Sequence, residues 1–232
     1  MSTNDTRATR VDPALLREVA HVEPDAAQRD EMAGPSYLHA IPFVRWVFWK
    51  RLDAVTRYLA ADDGPYASGL DFGCGLGVLL PTLSAVSQRV YAADLVLAPA
   101  RRLAAALHLD NVTFVEPATL PQRIAPDSLD FAVSTDVLEH VDDLPATIAL
   151  LHALLKPGGR LVVSGPTENA LYKAGRAFAG FGGKGGYHHT DIHAIHDRIT
   201  RPGSGFAVAG RRVLPLPRIV EAFYIYSYRK SR

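Results

Sequence analysis

From Ser68 onward the chain alternates short apolar runs with amphipathic stretches. "GLDFG" is an apolar run closing on glycine, and "GVLLPTLSAV" carries helical spacing, with Pro81 early enough for a first turn. "RVYAAD" predicts a second strand ending on an acid, "LAPARRLAAALHL" a helix, "NVTFVE" a third strand and "LDFAVSTD" a fourth. "LPATIALLHALL" predicts an amphipathic helix that "KPGG" stops and turns, and "RLVVSGP" a fifth strand. Strands of continuous apolar character spaced by helices predict a parallel sheet covered on both faces. "GFAVAGRRVLPLP" and "EAFYIYSYRK" read as two late strands without a full helix between them, hence an antiparallel pairing at one edge. The expected fold class is α/β: a doubly wound, mostly parallel seven-stranded sheet with an antiparallel final strand.

The segment before the sheet, "YLHAIPFVRWVFWKRLDAVTRYLA", predicts a helix with Pro42 in its first turn. Val44, Phe48, Leu52, Val55 and Leu59 fall on one stripe, the face expected to cover a core. Trp46 and Trp49 leave that stripe and project among Arg45, Lys50, Asp53 and Arg57. They fit a ligand pocket, a lipid headgroup layer, or packing against the amino-terminal arm or a partner subunit. Tyr37 and His39 precede the helix, in a loop that either serves as a simple connection or closes over a ligand. Residues 1–34, charged, alanine-rich and punctuated by Pro13 and Pro24, read as a flexible or loosely docked arm. Residues 35–232 read as one domain: a helical cap over 35–66, a core over 68–166, an insertion or lid over 167–204 and the strand pair over 205–232.

Composition narrows the field. The chain has 232 residues, 48% of them apolar, and a formal net charge of +1. That charge offers no field to gather nucleic acid or an acidic membrane, so function rests on a local site. The one cysteine, Cys74, excludes an intramolecular disulfide framework. "MSTNDTRATRVDP" lacks the apolar core of a signal peptide, and no stretch approaches the roughly 20 apolar residues of a membrane span. The expected location is cytoplasmic.

The chemistry centres on "LDFGCGLGVLLP", residues 70–81. In a doubly wound sheet, ligands bind beyond the carboxyl ends of the strands. Gly73, Gly75 and Gly77 there permit positive φ and let a ligand approach main-chain atoms. Acids stand at the strand ends: Asp71 beside the glycines, Asp94 after the second strand, Glu116 after the third and Asp136 after the fourth. A carboxylate such as Asp94 can accept hydrogen bonds from both hydroxyls of a ribose. So many carboxylates would repel a dinucleotide pyrophosphate and attract a nucleoside bearing an ammonium or sulfonium charge. The spacing agrees, being G-x-G-x-G rather than the G-x-G-x-x-G dinucleotide fingerprint.

These residues carry a resemblance. "LDFGCGLG", "AADL", "LDFAVSTDVLEHV" and "LLKPGGRLVVSGP" are similar to the successive motifs of class I S-adenosylmethionine-dependent methyltransferases with a Rossmann-like fold, of the small-molecule, type 11/12-like group. The resemblance covers residues 68 to about 166. It implies S-adenosyl-L-methionine as cofactor, a small-molecule acceptor and methylation at oxygen or nitrogen; Trp46, Trp49 and the long insertion after the fifth strand add a lipid-linked or glycosylated acceptor as an expectation. It places Asp71, Gly73, Cys74, Gly75 and Gly77 around the amino-acid end of the cofactor, Asp94 at the ribose, Leu95 and Glu116 at the adenine, and Asp136 beside the site. Pro117 departs from the pattern, since proline has no N–H to offer the adenine ring, and Ala118 is the substitute donor. Asp136 also suits a turn cap.

An oxygen acceptor requires a base. "GGYHHTDIHAIHD" supplies His188 and His189 as catalytic candidates, after a glycine-rich loop that reads as a lid. Thr190 is the expected cap of a helix carrying His193 and His196 beside the apolar line Ile192, Ile195, Ile199. Polar surface and capping around an ordinary helix explain the same residues. A zinc site lacks the cysteine or acid to complete it, so no metal is expected; His140 reads as scaffold, and Leu144 stands where metal-using relatives carry a histidine. The competing functions are a nicotinamide-dependent oxidoreductase, a non-catalytic binding or scaffold protein of the same fold, and a peripheral membrane module using Trp46 and Trp49.

Overall fold

The computed structural model describes residues 7–22, 34–62, 64–167, 169, 190–216 and 220–231. Seven strands form a sheet in the order β3-β2-β1-β4-β5-β7-β6: β1 Tyr66–Phe72, β2 Ser87–Ala93, β3 Val112–Val115, β4 Leu129–Thr135, β5 Leu155–Pro166, β6 Phe206–Leu216 and β7 Val220–Lys230. The pairs β1/β2, β2/β3 and β4/β5 are parallel, and β7 runs antiparallel to both β5 and β6. The expected mostly parallel sheet with a reversed final strand is what forms. The chain divides into two compact units, 1–123 and 124–232.

In the first unit β1 and β2 are buried at their carboxyl ends, from Leu70 to Phe72 and at Ala92 and Ala93. Their helices are α1 Pro13–Ala20, α2 Pro42–Leu59, α3 Leu80–Val86 and α4 Ala98–Ala106. Leu70, Leu80, Leu83, Val90 and Leu103 are fully enclosed and form the apolar centre. The amino-terminal segment packs onto this unit over the residues described. Ala8, Val11, Leu16 and Val19 are buried, and Asp12 caps α1 by accepting from the amides of Ala14 and Leu15. The Ala8 amide donates to Asp53 Oδ1 at 3.1 Å, and the Thr9 amide to Thr82 Oγ1 at 2.8 Å.

That docking alters the face of α2. Leu52, Val55 and Leu59 are buried as the stripe predicts, whereas Val44 and Phe48 are half-buried. Asp53, expected on the outer face, is 1% exposed because Ala8 and Arg10 cover it; Arg10 lies 2.8 Å from its carboxylate. Trp49 lies beneath the Arg10 guanidinium, 4.6 Å from the ring centroid, with Tyr37 against its edge. Trp46 is exposed and stacks on Phe43. The two tryptophans therefore do not form one surface: packing against the arm accounts for Trp49 and not for Trp46.

The second unit adds α5 Leu144–Leu154 and α6 Ile192–Thr200 to β4 through β7. "KPGG" does not simply turn the chain. The helix ends at Leu154, and the four residues bulge within β5, where the register jumps from Leu129↔Leu155 to Phe131↔Arg160. Ile192, Ile195 and Ile199 are completely buried, the apolar line read from sequence. The cap of α6 is Asp191 rather than Thr190, its carboxylate accepting from the amides of His193 and Ala194. Both residues suit the role, and an Asx side chain one position later reaches the first free amides better than the threonine.

Burial would raise the Asp53 carboxyl, but the hydrogen bond and charge of Arg10, the Ala8 amide and Lys50 together hold it below the usual 3.8. Its ionised form is thus stabilised in the folded chain above that pH, and this stability is lost as pH falls through the lowered folded value. Replacing Arg10 by alanine is expected to remove about 1–3 kcal/mol at pH 7, less than a fully enclosed pair because Arg10 is partly solvated. Urea unfolding should show that difference narrowing below pH 3.8; equal stability of R10A and wild type at pH 7 would contradict it.

Candidate functional site

The glycine loop leaves β1 at Phe72 and folds back over the end of β2. Two amides, of Gly73 and Cys74, donate to the Ala93 carbonyl at 2.7 and 3.1 Å. The Gly75 amide donates to Asp94 Oδ2 at 2.7 Å, and the Gly77 amide to the Cys74 carbonyl at 2.7 Å. Four loop donors are thus satisfied within the loop and the β2 end. A pyrophosphate cradle needs such amides directed at the ligand; this loop has already used them.

The glycines divide by role. Gly75 has φ +52°, a left-handed conformation, and its amide reaches Asp94 from there. Gly77 has φ +80°, and a Cβ on it would lie 3.2 Å from both Cα and Cβ of Ala100 on α4. Gly77 therefore serves the close packing of helix and loop.

Asp71, one residue before the end of β1, is 2% exposed. Its Oδ1 is buried without a hydrogen-bond partner. Loss of water, with a smaller contribution from the negative charge of Asp94, pushes its carboxyl up to about 7. At neutral pH it is poised between acid and carboxylate. A cation placed against it would favour the carboxylate and expel the proton. Cys74 is buried beside it, and burial together with Asp71 and Asp94 pushes the thiol up, so it stays protonated and unreactive at neutral pH.

Asp94 is half-buried; its Oδ2 holds Gly75 and its Oδ1 accepts from the Val96 amide at 3.2 Å. Each carboxylate oxygen keeps a second lone pair for an outside donor. Leu95 is 88% exposed immediately after it, an apolar side chain offered to solvent at the rim. Glu116 is exposed at the end of β3 and begins a single turn, Pro117–Thr119, closed by the Thr119 amide to the Glu116 carbonyl. Asp71, Gly73, Cys74, Gly75 and Asp94 are thus brought together at the ends of β1 and β2; Glu116 ends the neighbouring strand β3.

Asp136 belongs to the second unit. It follows β4 with φ +57°, its amide donates to the Ser164 carbonyl, and its Oδ1 accepts from Ser164 Oγ at 3.3 Å. It is therefore tied to β5, and Asp143 caps α5. His188 and His189 lie outside the described residues, as does the glycine-rich loop before them. His193 and His196 pack on the tyrosines of β7: His196 stacks on Tyr226 and its Nδ1 lies 2.9 Å from Tyr228 Oη, while His193 meets Tyr224 edge-on. Burial lowers His196, leaving it neutral at pH 7. Sequence reasoning missed this aromatic ladder, although Tyr224, Tyr226 and Tyr228 alternate along one strand face.

Comparisons with known proteins agree with the geometry. A family model described as a methyltransferase domain matches residues 43–199. A ubiquinone biosynthesis O-methyltransferase of Xanthomonas campestris is 34% identical over 153 residues, 61% of this chain and 62% of that enzyme. One from Rhodopseudomonas palustris is 29% identical over 213 residues, covering 86% and 81%. An uncharacterized 37.1 kDa protein in a transposon of Streptomyces fradiae is 36% identical over 118 residues, 48% of this chain and 34% of its own length. The Xanthomonas enzyme and the Streptomyces protein are thus matched over less than two thirds of their own length. Among solved structures, the N-methyltransferase NodS from Bradyrhizobium japonicum, in complex with S-adenosyl-L-homocysteine, superposes with a TM-score of 0.65 at 17% identity, over 94% of this chain and 99% of that one.

Asp71 also generates a stability prediction. Because its folded value of about 7 exceeds the ordinary 3.8, its contribution is fully present below 3.8 and is lost as pH rises through 7. The isosteric Asp71→Asn variant escapes that loss. Its stability relative to wild type is expected to grow between about pH 4 and pH 8, by at most about 4 kcal/mol, since each tenfold difference in proton affinity between folded and unfolded chains is worth ~1.4 kcal/mol. Chemical unfolding at both pH values measures it; a difference independent of pH would show that Asp71 ionises normally. With the buried carboxylate, the internally bonded loop amides and the family match in agreement, the chain belongs to the class I S-adenosylmethionine-dependent methyltransferases.

Proposed function

We propose that this protein transfers a methyl group from S-adenosylmethionine to an oxygen of a small molecule, with nitrogen as the second reading. The observation that carries the cofactor assignment is the buried, unpartnered Asp71 oxygen beside a loop whose amides are already bonded. Such a site suits a cationic nucleoside and disfavours the pyrophosphate of a nicotinamide dinucleotide. Oxygen is favoured by the name of the Xanthomonas and Rhodopseudomonas relatives, O-methyltransferases of ubiquinone biosynthesis. NodS, named an N-methyltransferase, shares the fold at lower identity.

The residues fit the cofactor. Asp71 would counter its positive amino-acid end, with Gly73, Cys74 and Gly75 providing close main-chain approach and Gly77 holding the loop on α4. Asp94 would accept from the ribose hydroxyls through its remaining lone pairs. Leu95 and Glu116 would flank the adenine. When bound, the cofactor supplies an electrophilic methyl group on a sulfonium. The chain's share of catalysis is to hold the acceptor atom in line with that methyl, at about 3–3.5 Å, and to exclude water. A hydroxyl acceptor must also lose its proton, and His188 and His189 are the proposed bases.

Calorimetry with S-adenosylhomocysteine tests the cofactor assignment. Wild type is expected to bind in the micromolar range, Asp94→Ala at least about tenfold more weakly, and NADH not at all. Silence toward both S-adenosylmethionine and its demethylated product at millimolar concentration would refute the reading. Proton uptake or release is measurable by repeating the titration in buffers of different ionisation enthalpy. At pH 7 binding should release a fraction of a proton, absent in Asp71→Asn. Methyl-labelled cofactor supplied with a set of phenols and amines then identifies the accepting atom. Alanine at both His188 and His189 is expected to lower kcat about 10²-fold or more for a hydroxyl acceptor, leaving S-adenosylhomocysteine affinity unchanged; full turnover in that variant removes both histidines from the chemistry.

A further inference from the structure

The second unit contains a cavity of about 280 Å³ between α5, the end of α6 and the turn that follows. Its lining shares no residue with the cofactor site proposed above. Pro145, Ile148 and Ala149 of α5 supply an apolar wall, while Arg198, Arg201 and Ser204 supply the polar one. No acid lines it. Neither guanidinium has an acidic partner among the described residues. Asp127, whose charge acts on His152 of the lining, is bonded to Lys230 Nζ at 2.6 Å.

A cation near the end of a helix is ordinary, because the carbonyl end of the helix favours it. That accounts for one arginine at α6. It does not account for a second lining the same apolar-walled cavity, nor for the turn beyond it. Gly203 has φ +82°, and a side chain there would meet nothing within 4 Å, so the main chain at the turn is open to a ligand. Ser204 Oγ accepts from the Phe206 amide at 3.3 Å, which leaves its own O–H to donate outward. His152 is fixed at the back of the cavity: its ring meets Phe206 edge-on, and its Nε2 fills the space a side chain at Gly205 would need.

We propose that this cavity binds a small anion that carries an apolar group, its phosphate or carboxylate held by Arg198, Arg201 and Ser204 and its body lying on Pro145 and Ile148. Arginine pairs recognise such planar or tetrahedral oxyanions through charge-assisted hydrogen bonds. The volume suits a small ligand and falls near the lower end of ordinary ligand pockets. The inference stands apart from the methyl-transfer reading, since none of its residues enters that site.

The test uses the full chain, labelled with ¹⁵N, and phenyl phosphate as probe. Titration is expected to give saturable amide shifts centred on Gly203 and Ser204, weakened about tenfold or more in an Arg198→Ala/Arg201→Ala variant. Phenol, lacking the anion, should bind at least about tenfold more weakly than phenyl phosphate, and inorganic phosphate more weakly through loss of the apolar contact. Raising the salt from about 50 to about 500 mM should weaken wild-type binding, a readout independent of whether the double variant folds. S-adenosylhomocysteine affinity should stay within about twofold in the variant. Absence of saturable shifts below about 20 mM, shifts confined to residues 71–77, equal affinity for phenol, or undiminished binding by a folded double variant would each overturn the proposal.

Discussion

A carboxyl group taken out of water with one oxygen unpartnered is the constraint around which the first unit is arranged. Asp71 sits in β1 between Leu70 and Phe72, both buried, and opposite Ala92 of β2. No local feature demands an acid there; an apolar residue would suit the strand better. Its ionised form is costly until a positive charge approaches, since an unpaired buried charge is strongly disfavoured. The fold therefore carries an electrostatic deficit at Asp71, which a bound cation would relieve. Stability and affinity are coupled through the same oxygen.

The surrounding geometry limits what can provide that relief. With Gly73 and Cys74 bonded to Ala93, and Gly75 to Asp94, the loop is fixed by contacts to the β2 end. A preformed loop spares the ligand the entropy of ordering it. The same bonds remove the amides that would welcome phosphate, while two acids, Asp71 and Asp94, stand close enough for one to raise the other. Loop and acids thus agree on the sign of the ligand.

Much of this was legible in the sequence, because the signals were local. Apolar runs ending in acids marked β1 to β4, and the isoleucine spacing fixed the buried face of α6. What stayed hidden depended on distant partners. Asp53 and Trp49 lie on a side of α2 that reads as solvated, and only the docking of Ala8 and Arg10 from more than 35 residues away encloses them. The role of Gly77 was likewise hidden, because Ala100 gives it meaning and nothing in "GCGLG" refers to a helix 23 positions on. The bulge at "KPGG" needed the register of β4 to reveal it. Propensity gave a helix stop there, and strand pairing absorbed the same residues into β5.

The asymmetry between donor and acceptor recognition has a physical origin. A permanent charge and a ribose impose fixed demands, met by an acid at a strand end and a loop that turns with positive φ, and these leave short signatures. An acceptor of modest charge imposes none of that kind. Its pocket can be built from any side chains that supply shape and exclude water, and the net charge of +1 provides no long-range field that would betray its sign. Asp71 sharpens the contrast. Methyl loss neutralises the sulfur of the cofactor but leaves its amino group unaltered, so in the proposed pose, with its carboxylate against the ammonium, Asp71 would hold donor and product alike. On that reading, preference for the unspent donor would come from contacts at the sulfur and the transferred methyl, on the acceptor's side of the reaction, where the chemistry is least constrained by charge.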